Sequence, residues 1–182
     1  MSSPLPPIGW ISIVRLGLIQ ASLGSVVVLT TSLLNRVMVV ELGLLAMLPG
    51  ALVALYYSLQ ILRPRLGYGS DQSGRQTPWI IGGMAVLAVG GASAALATAW
   101  MNQALLPGMA LAAFSFVLIA LGVGAAGTNL LVLLAKRVEA RRRPAAATIV
   151  WLMMIVGFIV TTATAGQLLA PFTLTRLVTV SS

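Results

Sequence analysis

Long apolar stretches with almost no charge limit the folds open to this sequence more than any other feature. Between Arg75 and Lys136 there is no Asp, Glu, Lys or Arg at all. A helix needs about 20 mostly apolar residues to cross the hydrocarbon core of a bilayer. Membrane β-strands alternate apolar and polar residues, and these stretches do not alternate. The pattern therefore predicts an all-α membrane protein.

The composition points to the same class. The 182 residues are 59% hydrophobic and only 8% charged, whereas about 25% of an ordinary soluble domain is charged. A chain of this kind has too few polar side chains to cover a globule in water. We expect it to lie in lipid as a single helical bundle over residues 1–182.

Five apolar runs are long enough to be membrane spans, and a sixth begins near the end. Their approximate bounds are 13–34, 42–62, 78–100, 107–135 and 145–169, followed by a partial run at 172–182. The last run is too short to cross a bilayer. We therefore expect about five to six transmembrane helices and a sequence that is part of a longer membrane protein.

Basic residues mark the ends of the predicted spans. Arg63, Arg65 and Arg75 follow the second span, and the loop Lys136–Pro144 follows the fourth. Short loops rich in Lys and Arg stay in the cytoplasm, so both loops and the N-terminus are predicted to be cytoplasmic. The net charge of +8 then reflects topology and contact with anionic membrane lipids, and no nucleic-acid partner is expected. Docking of an acidic partner on the second loop is the alternative.

The residue types that most enzymes need are scarce. The chain has no Cys and no His, and its only acids are Glu41, Asp71 and Glu139. Thiolate and imidazole metal sites are therefore impossible, as is a histidine general base. Nothing in the spacing of the acids indicates a carboxylate pair. We predict no catalytic and no metal-ligating residues.

Small residues recur inside the third and fourth predicted spans. The stretch GVGAAG at 122–127 matches the G-x-G-x-x-G pattern of dinucleotide-binding loops, but it lies within an apolar run and follows no strand. Small residues four positions apart let membrane helices approach closely. We expect this packing role for Ala120, Gly124 and Thr128 in the fourth span and for Gly91 and Ala95 in the third.

The loop GYGSDQSGR at 67–75 follows the second predicted span and has the pattern G-x-x-x-D-x-x-G-R. It resembles the signature loop of the major facilitator superfamily, a large family of secondary transporters, through Gly67, Asp71, Gly74 and Arg75. Asp71 can accept hydrogen bonds from free N–H groups at a helix N-terminus, and Arg75 can pair with an acid or with helix carbonyls. A glycine-rich turn that only braces two helices is the alternative.

Three longer stretches carry a narrower resemblance. They are RLGLIQASLGSVVVLTTSLLNRVMVVELGL at 15–44, RPRLGYGSDQSGRQTPWIIGGM at 63–84 and GVGAAGTNLLVLLAKRVEARRRPAAATIVWLMMIVGF at 122–158. Together they resemble the PucC/LhaA family, also called the bacteriochlorophyll delivery family, of major-facilitator-type proteins in photosynthetic bacteria. The resemblance implies the N-terminal half of a major-facilitator-type bundle in the bacterial inner, photosynthetic membrane.

The resemblance also implies a function. Members of this family assist the assembly of light-harvesting complexes, by handling bacteriochlorophyll or holding antenna subunits. The implied partners are light-harvesting or reaction-centre polypeptides, or pigment-synthesis enzymes. No firmly bound cofactor is expected, and bacteriochlorophyll or lipid would be a transient ligand. Because the chain has no histidine, Asn, Gln, a carbonyl, water or shape alone would have to hold any pigment.

Four residues are candidates for contact with a pigment or a partner. Asn35 and Arg36 end the first predicted span, where a capped helix end, with Arg36 paired to Glu41, is the alternative. Asn129 lies within the fourth span, where polar residues more often join helices. Trp151 lies deep in the fifth span and could stack on a tetrapyrrole, although packing in the core or against lipid is the commoner use.

Two other functions remain open from the sequence. One is the N-terminal half of a conventional secondary transporter, which the signature loop favours, although no acid lies deep within a span. The other is a structural membrane subunit that braces a photosynthetic complex, which the small-residue helix faces favour.

Overall fold

The computed structural model describes residues 9–43, 45–65, 67–68 and 76–168. These ranges are helical with short connections, and they contain no strand. The longer helices are α1 (Trp10–Val28), α2 (Met47–Leu59), α3 (Gln76–Met101), α4 (Leu105–Arg137) and α5 (Arg143–Leu168). Within the described ranges, α3, α4, α5 and an extended α1 are long and apolar enough to cross a membrane. The predicted all-α membrane fold is therefore confirmed.

The first helix does not stop at Val28. It continues in π-helical form through Leu29–Leu34 and Val37–Glu41, and the hydroxyl of Thr30 donates a 2.7 Å hydrogen bond to the Val26 carbonyl one turn back. Gly43 then adopts a positive φ of 62°, a conformation that glycine accepts without steric cost. The chain turns there, beyond the predicted end of the first span at residue 34.

The second predicted span, 42–62, is shorter as an α-helix. α2 begins at Met47, after the turn at Gly43, and tightens into a 3₁₀ turn at Gln60–Leu62. Pro49 is buried in its first turn, where a missing N–H costs no intrahelical hydrogen bond. The polar residues of the following loop therefore begin directly at the end of this element.

The centre of the bundle is the pair α3 and α4, which pack through glycines. A Cβ added at Gly83 would lie 2.6 Å from the Ala126 nitrogen, and one at Gly122 would lie 2.7 Å from the Leu87 nitrogen. Backbones at this separation leave room only for hydrogen at these positions. The closest contact therefore lies beside, and not on, the small-residue set predicted in each helix.

α5 packs along α1 and is otherwise largely exposed. Gly24 of α1 faces Phe158, and Gly157 of α5 faces the Ala21 carbonyl. The hydroxyl of Thr161 donates a 2.7 Å hydrogen bond to the Ser25 hydroxyl across this seam. Only 11% of the most apolar window of α5 is buried, against 50% for α4, so α5 presents a wide apolar face outward.

The basic loop between α4 and α5 lies beside the start of α1. The Arg142 guanidinium carbon lies 5.8 Å from the centre of the Trp10 ring, within range of a cation–π contact. Arg142 also pairs with Glu139 at 3.4 Å. The N-terminal end of α1 and the basic loop thus occupy the same end of the bundle, as the charge pattern predicts.

Candidate functional site

A cleft of about 480 Å³ lies between α1, α2, α4 and α5. On α4 it extends from Val123 to Ala135, which is about 18 Å at 1.5 Å per residue. One end lies where α2 and α4 finish, beside Arg63 and Ala135. The other end lies among Val27, Val123 and Phe158, deep in the apolar part of the helices. The cleft is of the size that binds one compact ligand.

The walls of the cleft are mainly apolar, and three aromatic side chains line it. Trp151, Met154 and Phe158 stand on one face of α5, at the three- and four-residue spacing that places side chains one turn apart. Tyr56 of α2 lines the cleft as well. Trp151 is 52% exposed, so its ring is available to a ligand. The predicted contact residue Trp151 therefore lies in the cleft.

Polar side chains are few among the described residues that line the cleft, and α1 contributes Gln20. Its amide nitrogen donates a 3.3 Å hydrogen bond to the sulfur of Met154. Its Oε1 is buried and has no hydrogen-bond partner in the described part of the chain. A buried carbonyl oxygen without a partner costs about 1–3 kcal/mol. Gln20 thus offers an acceptor beside the cleft that a ligand donor would satisfy.

A second polar group stands at the end of α2. The Tyr56 hydroxyl lies beside the side chains of Gln60 and Arg63, and Gln60 has a buried Oε1 that accepts no hydrogen bond from a described residue. Arg63 is exposed and lines the cleft. Among the described side chains, no carboxylate pairs with Arg63. Arg63 therefore places a cationic side chain at this end of the cleft, which we call the cationic end.

Of the signature loop, the structure describes Gly67 and Tyr68, and Gly67 lies beside a residue of the cleft wall. Gly67 is buried, and a Cβ there would lie 3.1 Å from the Thr128 methyl group. Thr128 itself lines the cleft, so it serves this site as well as helix packing. Asp71, Gly74 and Arg75 lie outside the described residues.

Asn129 is placed differently from its neighbour Thr128. It is fully buried, and its Nδ2 donates a 2.6 Å hydrogen bond to the Ala125 carbonyl within α4. Its Oδ1 has no partner among the described residues. Asn129 does not line the cleft, so the structure does not bring it together with Trp151.

Asn35 and Arg36 also lie away from the cleft. Asn35 is half-buried, and Arg36 lines a separate cavity of about 140 Å³ against Thr162, Ala165 and Gly166 of α5. The side chain of Glu41 lies outside the described residues, so its predicted pairing with Arg36 stays a prediction.

The predicted packing residues are largely buried. Gly91 approaches Val26 of α1, since a Cβ there would lie 3.1 Å from its Cγ1. Ala95, Ala120 and Gly124 are buried in the bundle. Gly91 therefore joins α3 to α1, while Gly83 and Gly122 form the α3–α4 contact.

Sequence reasoning missed Gln20, Tyr56, Arg63 and Phe158 as members of one site. Gln20 is a polar residue within an apolar span, and that isolation was a usable signal. Arg63 was explained entirely as a basic residue that marks a cytoplasmic loop. Only the packing of α5 on α1 and of α2 on α4 brings the four residues to one cleft.

The cleft can bind but offers little for catalysis. The described residues contain no group of three His, Cys, Asp or Glu side chains that could hold a metal ion. Its polar side chains are an amide, a phenol, a hydroxyl and a guanidinium, which donate and accept hydrogen bonds. The arrangement suits an amphipathic molecule with one polar end.

Comparison with known proteins gives relatives that are much longer than this chain, and they include the following three. The Bacteriochlorophyll synthase 44.5 kDa chain of Rhodobacter capsulatus is 56% identical over 170 residues, which cover 93% of this chain and 40% of the relative. Protein PucC of Rhodobacter capsulatus is 29% identical, over 92% of this chain and 39% of its own length. Protein PucC of Rhodovulum sulfidophilum is 30% identical, over 92% and 40%. The chain thus spans about two fifths of the curated relatives it matches.

No solved structure matches the chain. The family assignment therefore rests on sequence, and it is carried by a family model described as PUCC protein, which matches residues 33–182. This range includes α2, α3, α4 and α5 and well over half of the chain. The chain belongs to the PUCC protein family.

Proposed function

We propose that this chain is an accessory protein for the assembly of photosynthetic light-harvesting complexes, which handles bacteriochlorophyll or holds antenna subunits. The observation that carries the proposal is the cleft, because Tyr56, Trp151 and Phe158 offer aromatic surface to a flat apolar ligand. Membership of the PUCC protein family supports it. So does the relative whose name refers to bacteriochlorophyll synthase.

The proposed role is non-catalytic. The sequence contains no His or Cys, and the described polar side chains of the cleft include no general base near neutral pH. The name of one relative includes the word synthase, so an activity assay tests this part directly. Purified protein given a tetrapyrrole acid and an isoprenoid diphosphate is expected to form no ester, and ester formation would contradict the proposal.

The proposed setting is the bacterial inner, photosynthetic membrane, with the N-terminus in the cytoplasm. Membrane lipids surround the bundle, and the proposed protein partners are light-harvesting or reaction-centre polypeptides or pigment-synthesis enzymes. Pigment or lipid would be held only transiently. The wide exposed apolar face of α5 supports association with other membrane helices.

The test is isolation of the tagged protein from its native membranes in a mild detergent. The absorption spectrum of the eluate and the identity of the co-eluting chains are the measurements. We expect far-red bacteriochlorophyll bands together with antenna, reaction-centre or pigment-synthesis polypeptides. A colourless and solitary protein would contradict the proposal and favour the transporter function.

A matched pair of variants links the result to the cleft. Trp151→Leu removes an aromatic wall of the cleft, and we expect it to lower the pigment recovered per protein several-fold, since stacking on an aromatic side chain contributes about 1 kcal/mol. Trp100→Leu removes a tryptophan of similar exposure at the far end of α3 and should leave pigment recovery unchanged. Equal losses of pigment in both variants would show that the pigment does not bind in the cleft.

A further inference from the structure

The charge at the cationic end of the cleft lacks a counter-charge within the described chain. Arg63 is exposed, and the Tyr56 hydroxyl and the Gln60 side chain beside it are neutral. Among the described carboxylates, Glu139 pairs with Arg142 in another loop. A guanidinium is a fixed cation that binds carboxylates and phosphates with two parallel hydrogen bonds. An anionic group is therefore the complement of this end.

The walls of the rest of the cleft indicate the chemistry of the remaining part of the ligand. From Arg63 inward the walls change to Leu131, Val123 and Phe158, with Trp151 along one side. Gln20 adds one buried acceptor that has no partner among the described residues. An anion with a long polar body would leave this apolar surface unfilled, and a neutral apolar molecule would offer no charge to the Arg63 guanidinium. The complementary molecule has one anionic end and an apolar body.

We propose that the cleft binds a tetrapyrrole that carries one free carboxylate, with the carboxylate at Arg63 and the macrocycle against Trp151 and Phe158. This inference rests on the proposed function, and it refines the ligand: the cleft is expected to bind the free acid of a pigment more tightly than the esterified pigment. A reaction that esterifies this carboxylate would consume the bound molecule, because an ester keeps the macrocycle but loses the charge that Arg63 recognises.

A phospholipid shares the chemistry of an anionic head on an apolar body, but the cleft favours a macrocycle. Its volume of about 480 Å³ suits one compact ligand. Two flexible acyl chains would lose much conformational freedom on entering it. A rigid ring loses little, and it meets three aromatic side chains. Occupation of the cleft by a phospholipid is therefore the alternative that the experiment distinguishes.

The experiment titrates the purified chain, in nanodiscs of zwitterionic phosphatidylcholine, with a tetrapyrrole acid and with its methyl ester. Bacteriochlorophyllide a and its methyl ester differ by one methyl group, which removes the charge of the carboxylate. Quenching of pigment fluorescence gives the two dissociation constants. We expect the acid to bind a few-fold more tightly, since an ion pair with an exposed arginine contributes up to about 1 kcal/mol.

The control variants are Arg63→Gln and Arg65→Gln. Both arginines are exposed and two residues apart, but only Arg63 lines the cleft. Arg63→Gln should remove the preference for the acid and leave ester binding unchanged. Arg65→Gln should keep the preference.

Three results would overturn the inference. The first is equal affinity of wild-type protein for acid and ester, which leaves the proposed function standing if pigment still co-purifies from native membranes. The second is a preference that survives in Arg63→Gln. The third is loss of acid binding when phosphatidylglycerol replaces phosphatidylcholine, with no such loss in Arg63→Gln, which would make the phospholipid the occupant. Failure of both tetrapyrroles to bind, together with a colourless eluate, would instead contradict the proposed function itself.

Discussion

Two neighbouring glycines in α3 separate the effect of close packing from the effect of glycine itself. A Cβ at Gly83 would meet the Ala126 backbone nitrogen at 2.6 Å, whereas one at Gly82 meets nothing within 4 Å. Gly83→Ala must push α4 away, and overpacking of this kind costs about 1–3 kcal/mol. Gly82→Ala should be neutral or slightly stabilising. Melting temperatures in detergent check this, and a Gly83→Ala variant as stable as wild type would contradict the described contact.

Replacing the polar side chain of Asn129 should not lower the melting temperature, in contrast to Gly83→Ala. Its Oδ1 is buried without a partner in the described chain, and a leucine of similar size removes that oxygen. Asn129→Leu is expected to keep or raise the melting temperature, because a buried unpaired acceptor costs about 1–3 kcal/mol. In contrast, Ser115→Ala removes a hydroxyl bonded to Ser93 at 2.9 Å and should lower it. Marked destabilisation by Asn129→Leu would mean that something binds the amide oxygen.

Between elements, the α1–α5 seam combines glycine contacts with one hydrogen bond. The Thr161 and Ser25 hydroxyls are 2.7 Å apart. A double-mutant cycle with Ser25→Ala and Thr161→Val should give a coupling energy of about 0.6 kcal/mol, typical of such bonds in membranes. The free energy of unfolding in a denaturing detergent is the measurement. Additive effects of the two substitutions would show that the hydroxyls do not interact in the membrane.

At this scale the sequence predicted the long helices well and their contacts poorly. The runs 78–100 and 107–135 lie inside α3 and α4, because uncharged apolar residues leave no choice but a spanning helix. The end of the first span was placed at residue 34, and the helix continues to Glu41. The polar pair Asn35 and Arg36 interrupts the apolar run but does not end the helix, which continues until the turn at Gly43. The pairing of Gly83 with Ala126 depends on helix rotation, which a uniformly apolar surface does not specify.

For the molecule as a whole, the prediction concerns topology. Gly9 and Ala140 are exposed at the end with the basic loop, and Gln103 is exposed in the turn between α3 and α4. The chain has no cysteine, so single-cysteine variants need no background correction. Gly9→Cys and Ala140→Cys should react with an impermeant maleimide in inverted vesicles, and Gln103→Cys in right-side-out vesicles.

The reverse labelling pattern would contradict the positive-inside orientation. Labelling of Gly9→Cys and Ala140→Cys from different sides would contradict the contact of Trp10 with Arg142. Both results can be read from one gel for each vesicle type. Gln103→Cys, which should label from the opposite side, is the control on each gel.

The candidate site was predictable only in part. Trp151 was a candidate because a tryptophan deep in a span is unusual, and it does line the cleft. Gln20 and Arg63 come from helices far apart in sequence, and each has an ordinary explanation when taken alone. Assembly of the cleft depends on which faces of α1, α2, α4 and α5 meet, and that information lies in packing.

The seam between α1 and α5 also exposes the fold to oxidants. Met153 packs directly on Gly17, and the sulfur of Met154 accepts the hydrogen bond from Gln20. Oxidation to the sulfoxide adds an oxygen atom and polarity to a flexible apolar side chain. At Met153 the facing glycine leaves no space for that atom. Oxidation of Met153 would therefore push α5 away from α1, and repair by sulfoxide reduction would restore the contact that forms this side of the cleft.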